Sequence, residues 1–148
     1  MKHTNLSSVI ALIALFIVST ATAQNARLKS PLSVTDNGLT FTICYDISGL
    51  GNVSQVTMEL NFDATVSGEC RNPGNGDVVP AHNKVVSDVG EEFAVPVHNG
   101  RAVGCFTTTS TFTPGRCPNT NWTSQVTNVS FSGITLSVLG KTFTANNP

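Results

Sequence analysis

Charged side chains are scarce in this 148-residue chain, and the two signs nearly balance. Asp, Glu, Lys and Arg together make up 11% of the residues, against about 25% in an average soluble domain. Eight Lys and Arg stand beside nine Asp and Glu, and no stretch of sequence concentrates the basic ones. Nucleic-acid-binding proteins neutralise many phosphates with clustered cations, so the composition argues against a nucleic-acid partner. It argues equally against an anionic membrane surface.

Closely spaced ligand pairs are absent as well. Structural zinc sites use pairs such as C-x2-C and redox dithiols use C-x-x-C, but the four cysteines are widely separated: Cys44, Cys70, Cys105 and Cys117. The chain also lacks a G-x-S-x-G nucleophile elbow, a phosphate-binding glycine loop and a dinucleotide fingerprint. We therefore predict no catalytic residue, no metal site and no cofactor. The even cysteine count predicts two disulfides formed in an oxidising compartment.

Strand phase and position favour one of the three disulfide pairings. Cys70 and Cys117 each stand where a strand meets a loop rich in Asn and Pro, so one bond would tie the same end of the fold. Cys44 and Cys105 are each out of phase with their apolar strand neighbours, so both sulfurs would point outward and meet across adjacent strands. The alternative pairs Cys105 with Cys117 and Cys44 with Cys70. The matched phases favour Cys70–Cys117 and Cys44–Cys105.

The N-terminus contains the only long hydrophobic run. Met1–His3 is positively charged, Val9–Val18 is apolar, and Ala21–Ala23 matches an A-x-A cleavage site. This arrangement is typical of a secretory signal peptide, and the run is shorter than the roughly 20 residues of a membrane-spanning helix. The sequence thus predicts a signal peptide over residues 1–23 and one mature domain over 24–148. We expect that domain to be secreted or periplasmic, without membrane insertion after cleavage.

Apolar and polar residues alternate along much of the mature chain, and no stretch has a sustained helical period. Leu39–Ile47 and Val56–Val66 alternate most clearly, which indicates strands with one buried face. Turn signals recur about every 8–12 residues, and Asn99-Gly100 is a strong signal for a two-residue hairpin turn. We predict an all-β antiparallel sandwich of immunoglobulin-like architecture with about seven or eight strands. The Cys–Trp–Cys order of true immunoglobulin domains is missing, because Trp122 follows the last cysteine.

Several segments carry more specific expectations. Residues 24–36, interrupted by a proline, are interpreted as an edge strand or a flexible arm. The length of the strand around Val56–Val66 suggests a bend or bulge partway along it. In Thr123–Val138 the apolar phase switches midway, which predicts a bulge or strand break. The threonine-rich stretch 101–113 is predicted as strand, and residues 71–83 as a long loop.

The ionisable groups match no recognised site. His82 and His98 lie in separate loop-like segments and are interpreted as surface residues. An acidic cluster offers the oxygen ligands that calcium prefers, but no calcium loop motif is present and a solvated turn is the alternative. Its residues are Asp88, Glu91 and Glu92, together with Asp77 and Asn75. Carboxylate pairs for glycoside hydrolysis would come from Asp46, Glu59, Asp63 and Glu69, of which the middle two fall on the polar face of their strand.

Three motifs resemble a group of small uncharacterised secreted bacterial proteins. They are ISGLGNV at Ile47–Val53, CRNPGN at Cys70–Asn75 and CPNTNWT at Cys117–Thr123. The resemblance spans most of the mature chain, and its motifs are structural. It implies a bacterial, exported protein and no established activity. Cys44 and Cys105 are not part of the shared pattern.

We interpret the chain as a non-enzymatic exported protein with a structural, adhesion or protein-interaction role at or outside the cell. The alternative is a binding module for carbohydrate or a small ligand that uses the 71–83 and 113–121 loops, and a secreted hydrolase ranks last. The partner is unknown; a protein or a glycan at the cell surface fits these readings. Trp122 and Tyr45 offer flat surfaces for a sugar, although both could pack in or beside the core. The candidate ligand-binding residues are Trp122, Asn72, Asn75, Asp77, Asn119 and Asn121.

Overall fold

The computed structural model describes residues 25–146, so the predicted signal peptide lies outside the described part of the chain. That part contains nine β-strands and no helix, in two antiparallel sheets. The predicted all-β sandwich of antiparallel sheets is confirmed, with slightly more strands than expected. The strands are β1 (Arg27–Leu28), β2 (Ser33–Asp36), β3 (Phe41–Ser48), β4 (Gln55–Arg71), β5 (Val78–Pro80), β6 (Lys84–Pro96), β7 (Arg101–Thr107), β8 (Thr123–Val138) and β9 (Lys141–Thr144).

Sheet A, which contains β1, β2, β3 and β7, is built around β3. β7 pairs along one side of β3, from Thr42 with Thr107 to Ser48 with Arg101. β1 and β2 share the other side, because β1 pairs with the last residues of β3 and β2 with the first. Pro31 lies between them, where its missing N–H interrupts the ladder. The segment expected to be an edge strand or a flexible arm is therefore an edge strand broken at one proline.

Sheet B, which contains β4, β5, β6, β8 and β9, is built around β4. β8 pairs along one side of β4, and β9 continues the sheet beyond β8. The other side is shared by β6, which pairs with Gln55–Val66, and by β5, which pairs with Glu69–Arg71. β3 and β4 thus occupy the centres of the two sheets.

The core lies between the sheets and follows the alternation of the sequence. In β3 and β4 every second side chain is buried. Phe41 of sheet A packs on Phe62 and Phe131 of sheet B, with ring centroids 5.0 and 4.8 Å apart. Aromatic pairs in tilted or edge-to-face geometry contribute beyond the area that they bury. This cluster joins the two sheets near the middle of the molecule.

The strands on both sides of β4 contain extra residues. In β8 the register shifts at Thr127, so that Val126 and Val129 both pack against the core. A second shift in β8 falls at Gly133, where φ is 62°, and the register of β6 shifts at Asp88, where φ is 55°. The bulge predicted in β8 is confirmed. The bend or bulge expected within β4 is found instead in β6 and β8, whose extra residues lie opposite a continuous β4.

The Asn99-Gly100 turn forms as predicted, but the two strands that it connects, β6 and β7, do not pair with each other as in a hairpin. Asn99 and Gly100 have φ values of 52° and 72°, and His98 and Arg101 exchange backbone hydrogen bonds of 2.9 and 3.0 Å. These values fit the two-residue turn with two left-handed residues. β6 on one side already pairs with β4, and β7 on the other pairs with β3. The turn therefore carries the chain from sheet B to sheet A.

Two predicted boundaries are wrong. Residues 71–83 are not one long loop, because the turn over 72–77 is followed by β5, whose β-branched Val78 and Val79 extend the ladder. The strand predicted over 101–113 ends at Thr107. Buried Thr108 then turns inward, and its Oγ1 accepts a 3.2 Å hydrogen bond from the Phe41 N–H. Residues 108–122 have no helix or strand; we name them the 108–122 loop.

Candidate ligand-binding site

The first disulfide lies on the outer face of sheet A. Cys44 of β3 and Cys105 of β7 stand directly opposite each other in the ladder, and their Cα atoms are 4.0 Å apart. This separation is slightly shorter than the usual range of about 4.4–6.8 Å. Ile43 and Tyr45 beside Cys44, and Phe106 beside Cys105, pack towards the core, so both sulfurs point outward. The predicted pairing is confirmed.

The second disulfide ties the 108–122 loop to sheet B. Cys70, fully buried at the end of β4, is bonded to Cys117, with 5.6 Å between Cα atoms. Cys70 also pairs with Ser124, at the start of β8. The cross-link therefore holds the loop at the end of sheet B from which β8 begins, as the sequence predicted. The alternative pairing of Cys105 with Cys117 is excluded.

Two glycines allow the loop to lie directly against its neighbours. A Cβ on Gly115 would stand 1.7 Å from the His82 carbonyl oxygen, and one on Gly68 would stand 2.9 Å from the Cβ of Pro114. No side chain fits at such distances, so only glycine permits these approaches. The His82 N–H donates a 3.2 Å hydrogen bond to the Arg116 carbonyl. The backbone of the loop is thus fixed on both sides of Arg116.

Trp122 borders a cavity of about 380 Å³ formed by the end of this loop. Trp122 is partly buried, and its backbone N–H donates a 3.1 Å hydrogen bond to the Asn119 carbonyl. The Asn119 side chain accepts a 3.0 Å bond from the Asn121 N–H, which closes an Asx turn. Three of the predicted site residues therefore lie together. The cavity is lined by Gly115, Arg116, Cys117, Asn119, Thr120, Trp122 and Ser124.

The other three predicted residues form a separate turn. Asn72 accepts the Gly74 N–H through its side chain at 2.9 Å. Asn75 and Asp77 bind each other, because the Asp77 N–H donates to Asn75 Oδ1 and Asn75 Nδ2 donates to Asp77 Oδ2. These side chains stabilise the turn between β4 and β5 and do not line the Trp122 cavity. The two halves of the predicted site are therefore not joined in one cavity.

A larger cavity next to that of Trp122 was not predicted. Its volume is about 590 Å³, and its lining contains His82, Lys84 and Arg116 but no carboxylate. Lys84 Nζ donates a 2.8 Å hydrogen bond to Thr113 Oγ1. The sequence did not indicate this cavity, because Arg116 is far from His82 and Lys84 along the chain. The remaining lining residues are Asn83, Val85, Pro114 and Gly115.

Glu91 does not belong to a solvated acidic turn. It lies in β6 on the face that carries Phe93 and Val95 towards the core, and its carboxylate accepts hydrogen bonds from the N–H and hydroxyl groups of Thr109 and Ser110. Burial alone would raise the pKa of Glu91, but these bonds outweigh it and lower the pKa. Its phase with Phe93 and Val95 is the sequence signal that could have identified it. Glu91 anchors the start of the 108–122 loop.

The other ionisable groups are dispersed. Asp46 forms a 2.6 Å ion pair with Arg101 on the outer face of sheet A, and the hydrogen bond from Arg101 lowers the Asp46 pKa. Glu59, Asp63 and Glu69 lie on sheet B. Tyr45 is buried and packs on Phe93 at a centroid distance of 6.0 Å, so it offers no platform for a sugar. His82 and His98 are exposed in separate segments.

Comparisons add no relative, because no family model, no curated protein and no solved structure matches the chain. Residues 25–146 contain no group of three or more His, Cys, Asp or Glu side chains placed to hold a metal ion. The same residues include no helix with the length and apolar character needed to cross a membrane.

Proposed function

We propose that this chain is an exported, non-enzymatic protein of immunoglobulin-like architecture that binds a partner at or outside a bacterial cell. Support for export comes from the signal-peptide features of residues 1–23 and from three motifs that resemble those of small secreted bacterial proteins. The two disulfides are compatible with an oxidising extracytoplasmic environment. N-terminal sequencing of exported material should begin at or near Gln24. A mature protein that retains Val9–Val18 would contradict the proposal.

One observation carries the binding role: an irregular loop is held rigidly at the end of a sheet. The 108–122 loop is fixed by Glu91 near its start and by Cys70 and His82 near its end. Loops on rigid scaffolds commonly carry binding residues, and pre-organised side chains lose less entropy on binding. The loop ends in Trp122 beside a cavity that Asn119, Thr120 and Ser124 also line. Trp122 offers a flat apolar surface for a sugar ring, so carbohydrate is the favoured ligand class.

A glycan array tests this role. Wild-type protein should retain a defined set of glycans, and W122A should lose about tenfold or more in affinity, as expected when a central aromatic anchor is removed. V103A is the matched control, because Val103 is 62% exposed on sheet A and lies outside the cavity. A W122A variant that binds the same glycans as wild type would refute the Trp122 site.

The absence of catalysis is part of the same proposal. Of the carboxylates weighed for glycoside hydrolysis, Asp46 is ion-paired on sheet A, whereas Glu59 and Asp63 lie on sheet B. Hydrolysis would need an acid and a second carboxylate facing one substrate. Purified protein should release no reducing sugar from the glycans that it binds. Turnover that disappears in E59Q or D63N would contradict this reading.

Assembly through a strand edge is the second candidate. Among the described strands β7 pairs only with β3, so its other edge has free backbone groups. Such edges recruit further strands, and this would give the protein a structural or adhesive role. Sedimentation velocity over a range of concentrations should then detect reversible association. A monomer at every concentration would rule this candidate out.

A further inference from the structure

Two cavities meet at Arg116. The cavity that contains Trp122 and the larger one that contains His82 and Lys84 share Gly115 and Arg116 in their linings. Because the same two residues line both cavities, the cavities adjoin at Arg116. A ligand longer than one sugar ring can therefore contact both, with its ring at Trp122 and its next group beside the basic side chains.

The larger cavity is positively charged in a protein that is otherwise slightly acidic. Removal of Lys2 with the signal peptide would leave seven Lys and Arg against nine Asp and Glu. Lys84 and Arg116 nevertheless line one space, together with His82. The only ion pair within residues 25–146 joins Arg101 to Asp46, so Lys84 and Arg116 have no carboxylate partner there. A local excess of one sign attracts ligands of the other sign.

The Lys84 ammonium group and the backbone that carries Arg116 are held in place before any ligand arrives. Lys84 Nζ donates a 2.8 Å hydrogen bond to Thr113 Oγ1, in the same loop that carries Arg116. The Arg116 carbonyl accepts the His82 N–H, and the next residue forms the disulfide to Cys70. Binding would therefore order little additional backbone, which favours affinity. Guanidinium and ammonium groups form their strongest hydrogen bonds with carboxylate, sulfate or phosphate oxygens.

We propose that the two cavities form one site for an acidic saccharide, a sugar chain that bears carboxylate or sulfate groups. The sugar ring stacks on Trp122, and the acidic group binds Arg116, Lys84 and His82. This inference rests on the proposed carbohydrate-binding function and adds its charge class. A saccharide fits better than a nucleic acid, which would need an extended row of cations, whereas the basic groups here are confined to one cavity.

Titration of the single tryptophan tests the proposal directly. Trp122 is the only tryptophan in the chain, so its emission reports the site without a label, and calorimetry supplies an independent affinity. The probes are a galacturonate oligosaccharide, a sulfated heparin fragment, a neutral maltooligosaccharide, inorganic sulfate and a short single-stranded DNA. We expect one or both acidic saccharides to bind at least about tenfold more tightly than the neutral one, a difference that two or three charge-assisted contacts readily supply.

Charge-matched variants separate the site from general electrostatics. K84Q/R116Q should weaken binding of the acidic saccharide by about tenfold or more. K29Q/K141Q removes the same number of charges from exposed positions outside both cavities and should change affinity by less than about twofold. R116Q alone should give an intermediate loss, and it leaves the bond between Lys84 and Thr113 intact. Far-UV circular dichroism checks that each variant is folded.

The other outcomes overturn the proposal at different levels. If neutral saccharides bind as well and K84Q/R116Q is unaffected, the carbohydrate-binding function stands and the acidic class is wrong. If no saccharide changes Trp122 emission or gives measurable heat, both proposals fail. Equal losses in the two double variants, or binding of sulfate or DNA as tight as that of the saccharides, would show that charge alone attracts the ligand.

Discussion

The two disulfides close loops of similar length but join different kinds of structure. Cys44–Cys105 connects residues 61 positions apart in strands that already pair with each other. Cys70–Cys117 connects residues 47 positions apart, and it ties a strand to a loop without helix or strand. Both restrict the unfolded chain to a comparable extent. In the native state, the first bond joins strands that a ladder of backbone hydrogen bonds already holds together. Only the second bond fixes a segment that has no such ladder.

The comparison suggests a division of roles. The Cys44–Cys105 bond adds to global stability and leaves local structure to the β3–β7 ladder. The Cys70–Cys117 bond also positions the two cavities that share Arg116. Removing one bond at a time should therefore separate stability from binding.

C44A/C105A should lower the free energy of unfolding by about 4 kcal/mol, the chain-entropy value for a loop of this length. The strands would stay paired, because their backbone hydrogen bonds do not depend on the sulfurs. Urea denaturation measures the loss, and amide exchange of β3 and β7 in native conditions checks their pairing. Affinity for saccharides should be unchanged. If binding fell together with stability, the proposed division of roles would be wrong.

C70A/C117A should cost about 2–4 kcal/mol. The chain-entropy value is again about 4 kcal/mol, but the freed loop regains part of its own conformational entropy in the native state. Amide exchange over residues 108–122 should accelerate strongly while β3 and β7 keep their protection. Saccharide binding should be lost, in contrast to C44A/C105A. Unchanged exchange in the loop would indicate that Glu91 and Gly115 hold it without the disulfide.

G115A should destabilise the protein by about 1–3 kcal/mol, the usual cost of inserting a methyl group into filled space. Its Cβ would stand 1.7 Å from the His82 carbonyl oxygen, so one backbone segment must move. Saccharide affinity should fall because Arg116 moves with the loop. G74A is the matched control, since its Cβ would meet only the Asn72 side chain at 3.4 Å. Equal unfolding midpoints for the two variants would refute the close approach at Gly115.

E91Q should destabilise the protein by about 1–2 kcal/mol, because a neutral amide accepts weaker hydrogen bonds from Thr109 and Ser110 than a carboxylate does. The lowered pKa of Glu91 predicts the pH dependence. Its stabilising effect should be complete above the ordinary value of 4.5 and disappear as the pH falls through the lowered folded-state pKa.

Urea titrations of wild type and E91Q at several pH values measure this difference. The two curves should converge in acid, because protonated Glu91 resembles glutamine in charge. E92Q is the control, since Glu92 is exposed on the other face of β6. A constant gap between wild type and E91Q across the acid range would contradict the assigned role of the carboxylate.

D46N should leave the urea midpoint unchanged within error. The ion pair of Asp46 with Arg101 is short, at 2.6 Å, but it lies on the outer face of sheet A, where solvent screens it. Its contribution should be smaller than that of Glu91, which faces inward. A midpoint shift as large as that of E91Q would show that this exposed ion pair contributes substantially to the stability of sheet A, in addition to the β3–β7 ladder and the disulfide.

The features predicted correctly from the sequence are those that depend on the alternation of buried and exposed residues within one strand. Period-two alternation identified β3 and β4, and the change of phase between Val126 and Val129 identified the bulge in β8. Strand phase indicated the Cys44–Cys105 pair, and position beside Asn- and Pro-rich loops indicated Cys70–Cys117. These features depend on the buried or exposed face of each residue, and that information is local.

Features that depend on which segments become neighbours were missed. Asn99-Gly100 was recognised as a tight turn, but local sequence does not record that β6 and β7 belong to different sheets. The basic cavity was not predicted because Arg116 is brought beside Lys84 only when the 108–122 loop packs against residues 82–84. The side chains of Asn72, Asn75 and Asp77 form hydrogen bonds within their own turn, which the sequence did not indicate. Their binding of a ligand stays a prediction.

The long pairing of β4 with β8 has a consequence for the time course of folding. Synthesis proceeds from the N-terminus, so β4 is complete well before β8, and its partners Met58 and Val138 are among the most distant in the ladder. Until β8 has been made, one whole edge of the longest strand has no partner within the chain. Pairs so far apart in sequence form slowly, and uncovered edges of nascent chains associate with one another. We therefore expect this edge of β4 to stay open to association with other chains until β8 docks.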